Sequence, residues 1–291
     1  VRGDCWGLTN TGDGYYGRGG ASHAIQGTVS YPLDGNVLGQ LENKYKTILN
    51  MDIDIYFEIG ELDVNPGREA LSYDKDTIEN IKKKLELVIK HFQPELQSKI
   101  EVAKTEWEAR YIYNSLTNDR TNGYYIQELL RMKALKLTYK GVELTGEYFS
   151  IKKSDYVITT KVSQLHAVSG KMVDVEQIVT DFEVFTFREY SDNYRMNKMD
   201  TSYQGSFQFQ ADPKTVFVYD DVGRGVQPRV TKYLEDNRLG RNNLFLVRSD
   251  AKKFKEFIKE LGSPKYILAS TLDVPVKAPR APGDSVNNYV Y

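Results

Sequence analysis

The chain has 291 residues, enough for two domains, and its 39 basic and 40 acidic side chains leave it near neutral. That balance argues against a dedicated nucleic-acid binder, which shows a basic excess or stripe. No apolar run approaches the roughly 18–20 residues of a membrane span, and the single cysteine, Cys5, cannot close an internal disulfide, so the cytosol is the default compartment.

Residues 1–20 hold seven glycines and read as a loop leading in. The stretch 24–33 (AIQGTVSYPL) predicts a strand ended by Pro32 and the dipeptide Asp34-Gly35. Leu38, Leu41, Tyr45 and Ile48, three and four apart, predict a helical segment. In 52–59 (DIDIYFEI), Ile53, Ile55, Phe57 and Ile59 alternate with Asp52, Asp54, Tyr56 and Glu58, the period of a strand with one dry face. The loop 60–73 (GELDVNPGREALSY) turns at Pro66-Gly67. A helix follows, capped by Asp74 or Asp76, with Ile78, Ile81, Leu85, Val88 and Phe92 as its apolar stripe. Glu79 with Lys83 and Glu86 with Lys90 are ion pairs on its wet face. Pro94 ends this helix and opens another that carries Leu96, Ile100, Ala103, Trp107 and Tyr111; a short helix at 124–133 closes the helical stretch.

From about 136 to 210 the pattern turns to β, with a hairpin over Lys140-Gly141 and strands at YVITTKV and FEVFTFREY, whereas 191–206 has no period and reads as a long loop. The last segment alternates strand and helix: strands at 215–219, 244–247 and 266–269, helices at 227–237 and 251–261. That order predicts a small parallel α/β domain. The start VRGDCWG has neither Met nor a signal-type apolar region, and the end is rich in Pro, Gly and Asn, so the expectation is a piece of a longer protein.

Several motifs carry a chemical reading and a plainer one. Residues 12–20 (GDGYYGRGG) lack the Lys-[Ser/Thr] ending of a phosphate-binding loop. Gly223-Arg224-Gly225 lies between strand and helix, where its amides could cradle an anion, or form a turn. Asp220 and Asp221 at a strand end are either a Mg²⁺ pair or a cap for the following loop. His23, His91 and His166 are too scattered for zinc, and Cys5 lacks a His or Cys partner at motif spacing. Arg68 is the sharp candidate. At an exposed turn its planar, permanently charged fork suits a γ-phosphate offered by another domain; the alternative is an ion pair with Glu61 or Glu58.

At this loop the sequence resembles a family. ELDVNPGREALSY, after an alternating strand and before a capped helix, resembles the segment that follows the ATP-binding domain in phage rapid-lysis rIIA-type proteins. GGASHAIQGTVSYPLDG resembles that family's Gly-Gly…Gly-x-Val-x-Tyr-Pro-[Ile/Leu]-Asp stretch, and KAPRAP its C-terminal region. Those proteins look like GHKL ATPases, a class that includes gyrase, heat-shock chaperone and histidine kinase. The resemblance implies a Bergerat-fold domain, outside this chain, that holds ATP and Mg²⁺. It also implies a transducer domain, built like a left-handed βαβ unit, that returns one basic residue to the γ-phosphate. Asn65-Pro66-Gly67-Arg68-Glu69 is similar to the chaperone's Asn-x-Ser-Arg-Glu loop, which assigns that role to Arg68; Gly67 stands where Ser is usual.

The expected fold is therefore α+β and α/β: a lead-in loop (1–20), a transducer-like βαβ domain with helical extension (21–135), a β-rich middle joined to a small parallel α/β domain (136–275), and a tail (276–291). No cofactor site is expected within the chain, and the isolated piece is not expected to be catalytic. The implied partners are the protein's own ATP-binding domain and a second copy. The alternative is a non-catalytic phage module that binds a host protein through the chain's 21 tyrosines and the loop 191–206. The implied location is the host cytoplasm, or the periphery of the inner membrane.

Overall fold

The computed structural model describes residues 2–3, 5–8, 22–51, 53–67, 69–120, 122–146, 148–190, 193–202, 204–240 and 243–275. They form two compact units, Val1–Glu147 and Tyr148–Tyr291, of mixed α+β class.

In the first unit, β1 (Arg2–Gly3), β2 (Trp6–Leu8), β3 (His23–Gln26), β4 (Val29–Pro32) and β5 (Ile53–Phe57) make one sheet in the order β1-β2-β5-β3-β4. β3 and β5 are parallel, with α1 (Asn43–Leu49) between them in sequence; the other pairings are antiparallel. The alternation in β5 is the expected one, with Ile53, Ile55 and Phe57 buried and Asp54 and Tyr56 half-buried. Ile59 lies past the strand's end and is 84% exposed. The single strand expected over 24–33 is a hairpin instead. Gly27, at φ +65°, takes the left-handed backbone that reverses the chain between β3 and β4. The helical segment expected around 38–48 divides into a 3-10 turn (Val37–Gln40) and α1.

α2 (Lys75–Glu101) starts where Asp74 accepts from the Thr77 amide at 2.7 Å. Glu79 and Lys83 pair at 3.1 Å as expected, whereas Glu86 accepts from the Tyr45 hydroxyl. The helix does not stop at Pro94. Its buried stripe continues through Phe92, Leu96 and Ile100. Burying Leu96 and Ile100 contributes about 1.5–3 kcal/mol each, which offsets the ~3 kcal/mol cost of an interior proline. The break falls at 102–105, where Thr105 caps α3 (Glu106–Thr117) by accepting from the Glu108 amide at 3.2 Å. α4 (Gly123–Arg131) follows.

β6 (Thr138–Tyr139) and β7 (Val142–Glu143) form the expected hairpin. Lys140 and Gly141, at φ +48° and +81°, are its two left-handed turn residues. The first compact unit includes this hairpin. Two glutamines one turn apart on α2 hold the hairpin's first strand. Gln97 accepts from the Thr138 amide at 3.0 Å and donates to its carbonyl at 2.9 Å. Gln93 makes the same pair of bonds with Lys136. Leu137 and Leu144 are buried beside them.

In the second unit, β8 (Tyr148–Lys152), β9 (Ile158–Leu165), β10 (Met172–Thr180), β11 (Glu183–Tyr190), β12 (Asn193–Lys198) and β13 (Ser206–Gln210) precede the strand–helix alternation. That alternation is β14 (Val216–Tyr219), α5 (Val226–Asn237), β15 (Leu244–Arg248), α6 (Ala251–Glu260) and β16 (Tyr266–Leu268). The main sheet has the order β12-β11-β15-β14-β16, with β15, β14 and β16 parallel as expected. β12 occupies part of the stretch 191–206 expected to be a loop. It pairs with β11 from Phe185↔Lys198 to Tyr190↔Asn193, and its Tyr194 and Met196 pack on the α5 core. Val218, Leu244 and Leu246 meet Val226, Val230 and Leu234 of α5, while Phe217 and Phe245 stack together and Phe217 meets Phe257 of α6. β13 pairs with β8, and β9 with β10 as a two-stranded arm.

Candidate functional site

The loop between β5 and α2 is a closed hook. Val64 bridges Leu71, the Asn65 amide donates to the Ala70 carbonyl at 2.9 Å, and the Ser72 amide to the Asp63 carbonyl at 2.8 Å. Its base is tied down on two sides. The Leu62 amide donates to Gln26 Oε1 of β3 at 2.9 Å, the Asp63 amide to Thr77 Oγ1 at 3.0 Å, and Asn80 Nδ2 to the Glu61 carbonyl at 2.8 Å. Asn65, Pro66, Gly67 and Glu69 at the tip are exposed. Arg68 itself lies outside the described residues. Glu61, weighed as its local partner, accepts from the Glu58 amide at 2.7 Å and pairs with Lys84 at 3.1 Å.

At the mouth of the hook Asp63 and Asp74 share a hydrogen bond that the sequence spacing did not signal. The bond to Asp74, and then its charge, raise the Asp63 carboxyl above the usual range. Asp74 is lowered, first by the Thr77 amide and then by Asp63.

The second candidate lies where β14, β15 and β16 end. The loops after β14 and β15 lead to helices on opposite faces of the sheet, the kind of place where α/β proteins hold ligands. Asp220, its side chain fully buried, accepts from the Gly223 amide at 2.7 Å, the Val222 amide at 3.3 Å and Arg248 Nε at 3.0 Å. Asp221 accepts from the Ser270 amide at 2.8 Å and from its hydroxyl. Burial works against the Asp221 charge, but the two Ser270 bonds, its own amide and the Arg229 charge together hold the carboxyl below its ordinary value. These oxygens are committed, and a guanidinium against Asp220 repels a dication. The pair does not fit Mg²⁺: Asp220 caps the loop that follows, and Asp221 holds Ser270 after β16. Gly223 and Gly225 take φ +72° and +83° in that loop, and α5 begins without a side-chain cap.

The remaining candidates do not converge. His23 lies 3.9 Å from Asp54, His166 bonds the Ser169 amide within a turn, and His91 sits on α2. Cys5, the single cysteine, is a half-buried thiol. Residues 12–20 lie outside the described residues. Among the described residues no helix is long and apolar enough to cross a membrane, and no group of three His, Cys, Asp or Glu is arranged to hold a metal ion.

No family model, curated protein or solved structure matches this chain. The resemblance therefore rests on the motif residues themselves.

Proposed function

We propose that the chain is the transducer and C-terminal region of a phage rIIA-like GHKL ATPase. Its task in that reading is to relay the ATP state of a nucleotide-binding domain that lies outside this chain. The observation that carries the reading is the hook between β5 and α2. Its tip is exposed while its base is hydrogen-bonded to both β3 and α2. A hook anchored in this way couples its tip to the sheet behind it. The parallel pair β3 and β5, with α1 between them in sequence, supports the βαβ expectation.

ATP and Mg²⁺ belong to the other domain. Arg68 supplies a charge-assisted contact to the γ-phosphate that forms only in the closed state, so ATP favours that state by the energy of the contact. The test is Arg68→Ala in the protein that carries the ATP-binding domain. Turnover should fall on the order of 10²-fold, with nucleotide affinity little changed. Turnover equal to wild type would remove the reading. The protein then works in the host cytoplasm, with its ATP-binding domain and a second copy as partners.

A second reading is a non-catalytic module that binds a host protein, at the periphery of the inner membrane in one version. The arm of β9 and β10 favours it. Val168 and Met172 there are 92% and 63% exposed, and Val173 and Val175 are exposed beside them. Capture of one host protein without nucleotide, lost on Val173→Lys/Val175→Lys, separates this reading from the first.

A further inference from the structure

A groove in the second unit has a charge pattern that neither reading uses. Gln227 and Pro228, Thr231 and Lys232, and Glu235 and Asp236 recur one turn apart along α5 and form one wall of an open groove of ≈590 Å³. Tyr194 of β12 and Pro275 complete the lining. At ~1.5 Å per helical residue this wall is about 13 Å long, room for about four extended residues at ~3.1 Å each.

The lining suits one chemistry. Tyr194, Pro228 and Pro275 offer flat ring surfaces of the kind that extended, proline-bearing peptides dock on. The rim is acidic. Glu235 and Asp236 line it, Glu189 pairs in register with Tyr194, and Asp273 is 82% exposed next to Lys232. Lys232, the cation in the lining, is taken by Asp236 at 2.7 Å.

The chain also runs along this wall. Arg229 donates to the Leu272 carbonyl at 2.7 Å, and Lys232, nearly one turn further on, lies 4.0 Å from Asp273. Pro275 already lines the groove, and the next basic residues in the sequence are Lys277 and Arg280, within KAPRAP.

We propose that this groove is the docking site of the chain's own segment 277–280, with its basic side chains, Lys277 and Arg280, on Glu235 and Asp236. A short tether gives such a segment an effective concentration in the millimolar range, so it excludes a free peptide of the same sequence. A fluorophore-labelled peptide VKAPRAPG, titrated by anisotropy, should bind a Lys277→Glu/Arg280→Glu chain at least about tenfold more tightly than the unaltered chain. Adding Glu235→Lys to that double variant should remove the binding. No binding to either chain, equal affinity for the two, or binding that survives Glu235→Lys overturns the proposal. Carbodiimide linking gives a second readout on the unaltered protein, in a mixture of ordinary and ¹⁵N-labelled copies. Links from Lys277 to Glu235 or Asp236 within one copy support docking in cis. Links between differently labelled copies, or to carboxylates outside the groove, count against it.

Discussion

Asp220 shows how one side chain ties the turn after β14 to the end of β15. It is fully buried, and its two oxygens serve the turn after β14 and the guanidinium at the end of β15. Asp220→Ala removes the charged acceptor from two part-buried amides and from the Arg248 guanidinium, and should lower stability by about 1.5–3 kcal/mol. The urea midpoint should move while its slope stays constant; an unmoved midpoint would mean that water replaces the carboxylate at no cost. Its neighbour Asp221 makes a prediction in pH. The folded carboxyl titrates below its ordinary value of 3.8, so its ionised form stabilises the fold above the unfolded pKa. That contribution is lost as pH falls through the folded value. Ser270→Ala removes the two bonds' hydroxyl half. The stability gap between this variant and wild type should be full at neutral pH and narrow below about pH 4. A gap that is constant with pH would mean the hydroxyl acts by packing alone.

At the scale of elements, α3 and α4 meet through one glycine. A Cβ on Gly123 would lie 2.4 Å from the Thr117 carbonyl oxygen and 2.8 Å from its carbon. Backbone cannot swing aside as a side-chain tip can, so Gly123→Ala should cost about 1–3 kcal/mol, read as a lower melting temperature. Pro94 predicts the reverse. Pro94→Ala restores a donor to the Lys90 carbonyl inside a helix that is already continuous, and should raise stability, by up to ~3 kcal/mol. Elements set by local period were legible in the sequence: β5, the Asp74 cap, the Lys140-Gly141 turn and the three parallel strands. Pro94 misled because the burial that carries α2 through it is non-local. β12 was missed because NYRMNK alternates with only Tyr194 and Met196 inward, and its register comes from β11. The glutamine clasp on Lys136 and Thr138 joins residues 43 and 41 apart, which no spacing rule anticipates. At the candidate site the Pro66-Gly67 turn was legible, but the Asp63–Asp74 contact arises only when the hook closes. The role proposed for Arg68 depends on a phosphate from outside this chain.

At the scale of the molecule, each unit has an apolar core among its described residues. One gathers Trp6, Ile55, Leu85 and Phe92; the second unit gathers Val218, Val230 and Leu246 on one face of its sheet. A relay that runs through the first unit's sheet needs that unit to stay folded as a body, whatever happens in the second. Damage to one core should therefore remain local. Gly123→Ala should raise amide exchange in α3 and α4 while β14 and β15 keep their wild-type protection, and Asp220→Ala should do the converse. Mass-resolved hydrogen exchange on both variants reads this directly. If either substitution releases amides in both units together, the chain opens as one cooperative block, and a signal sent from the hook would have to be traced through the second unit as well.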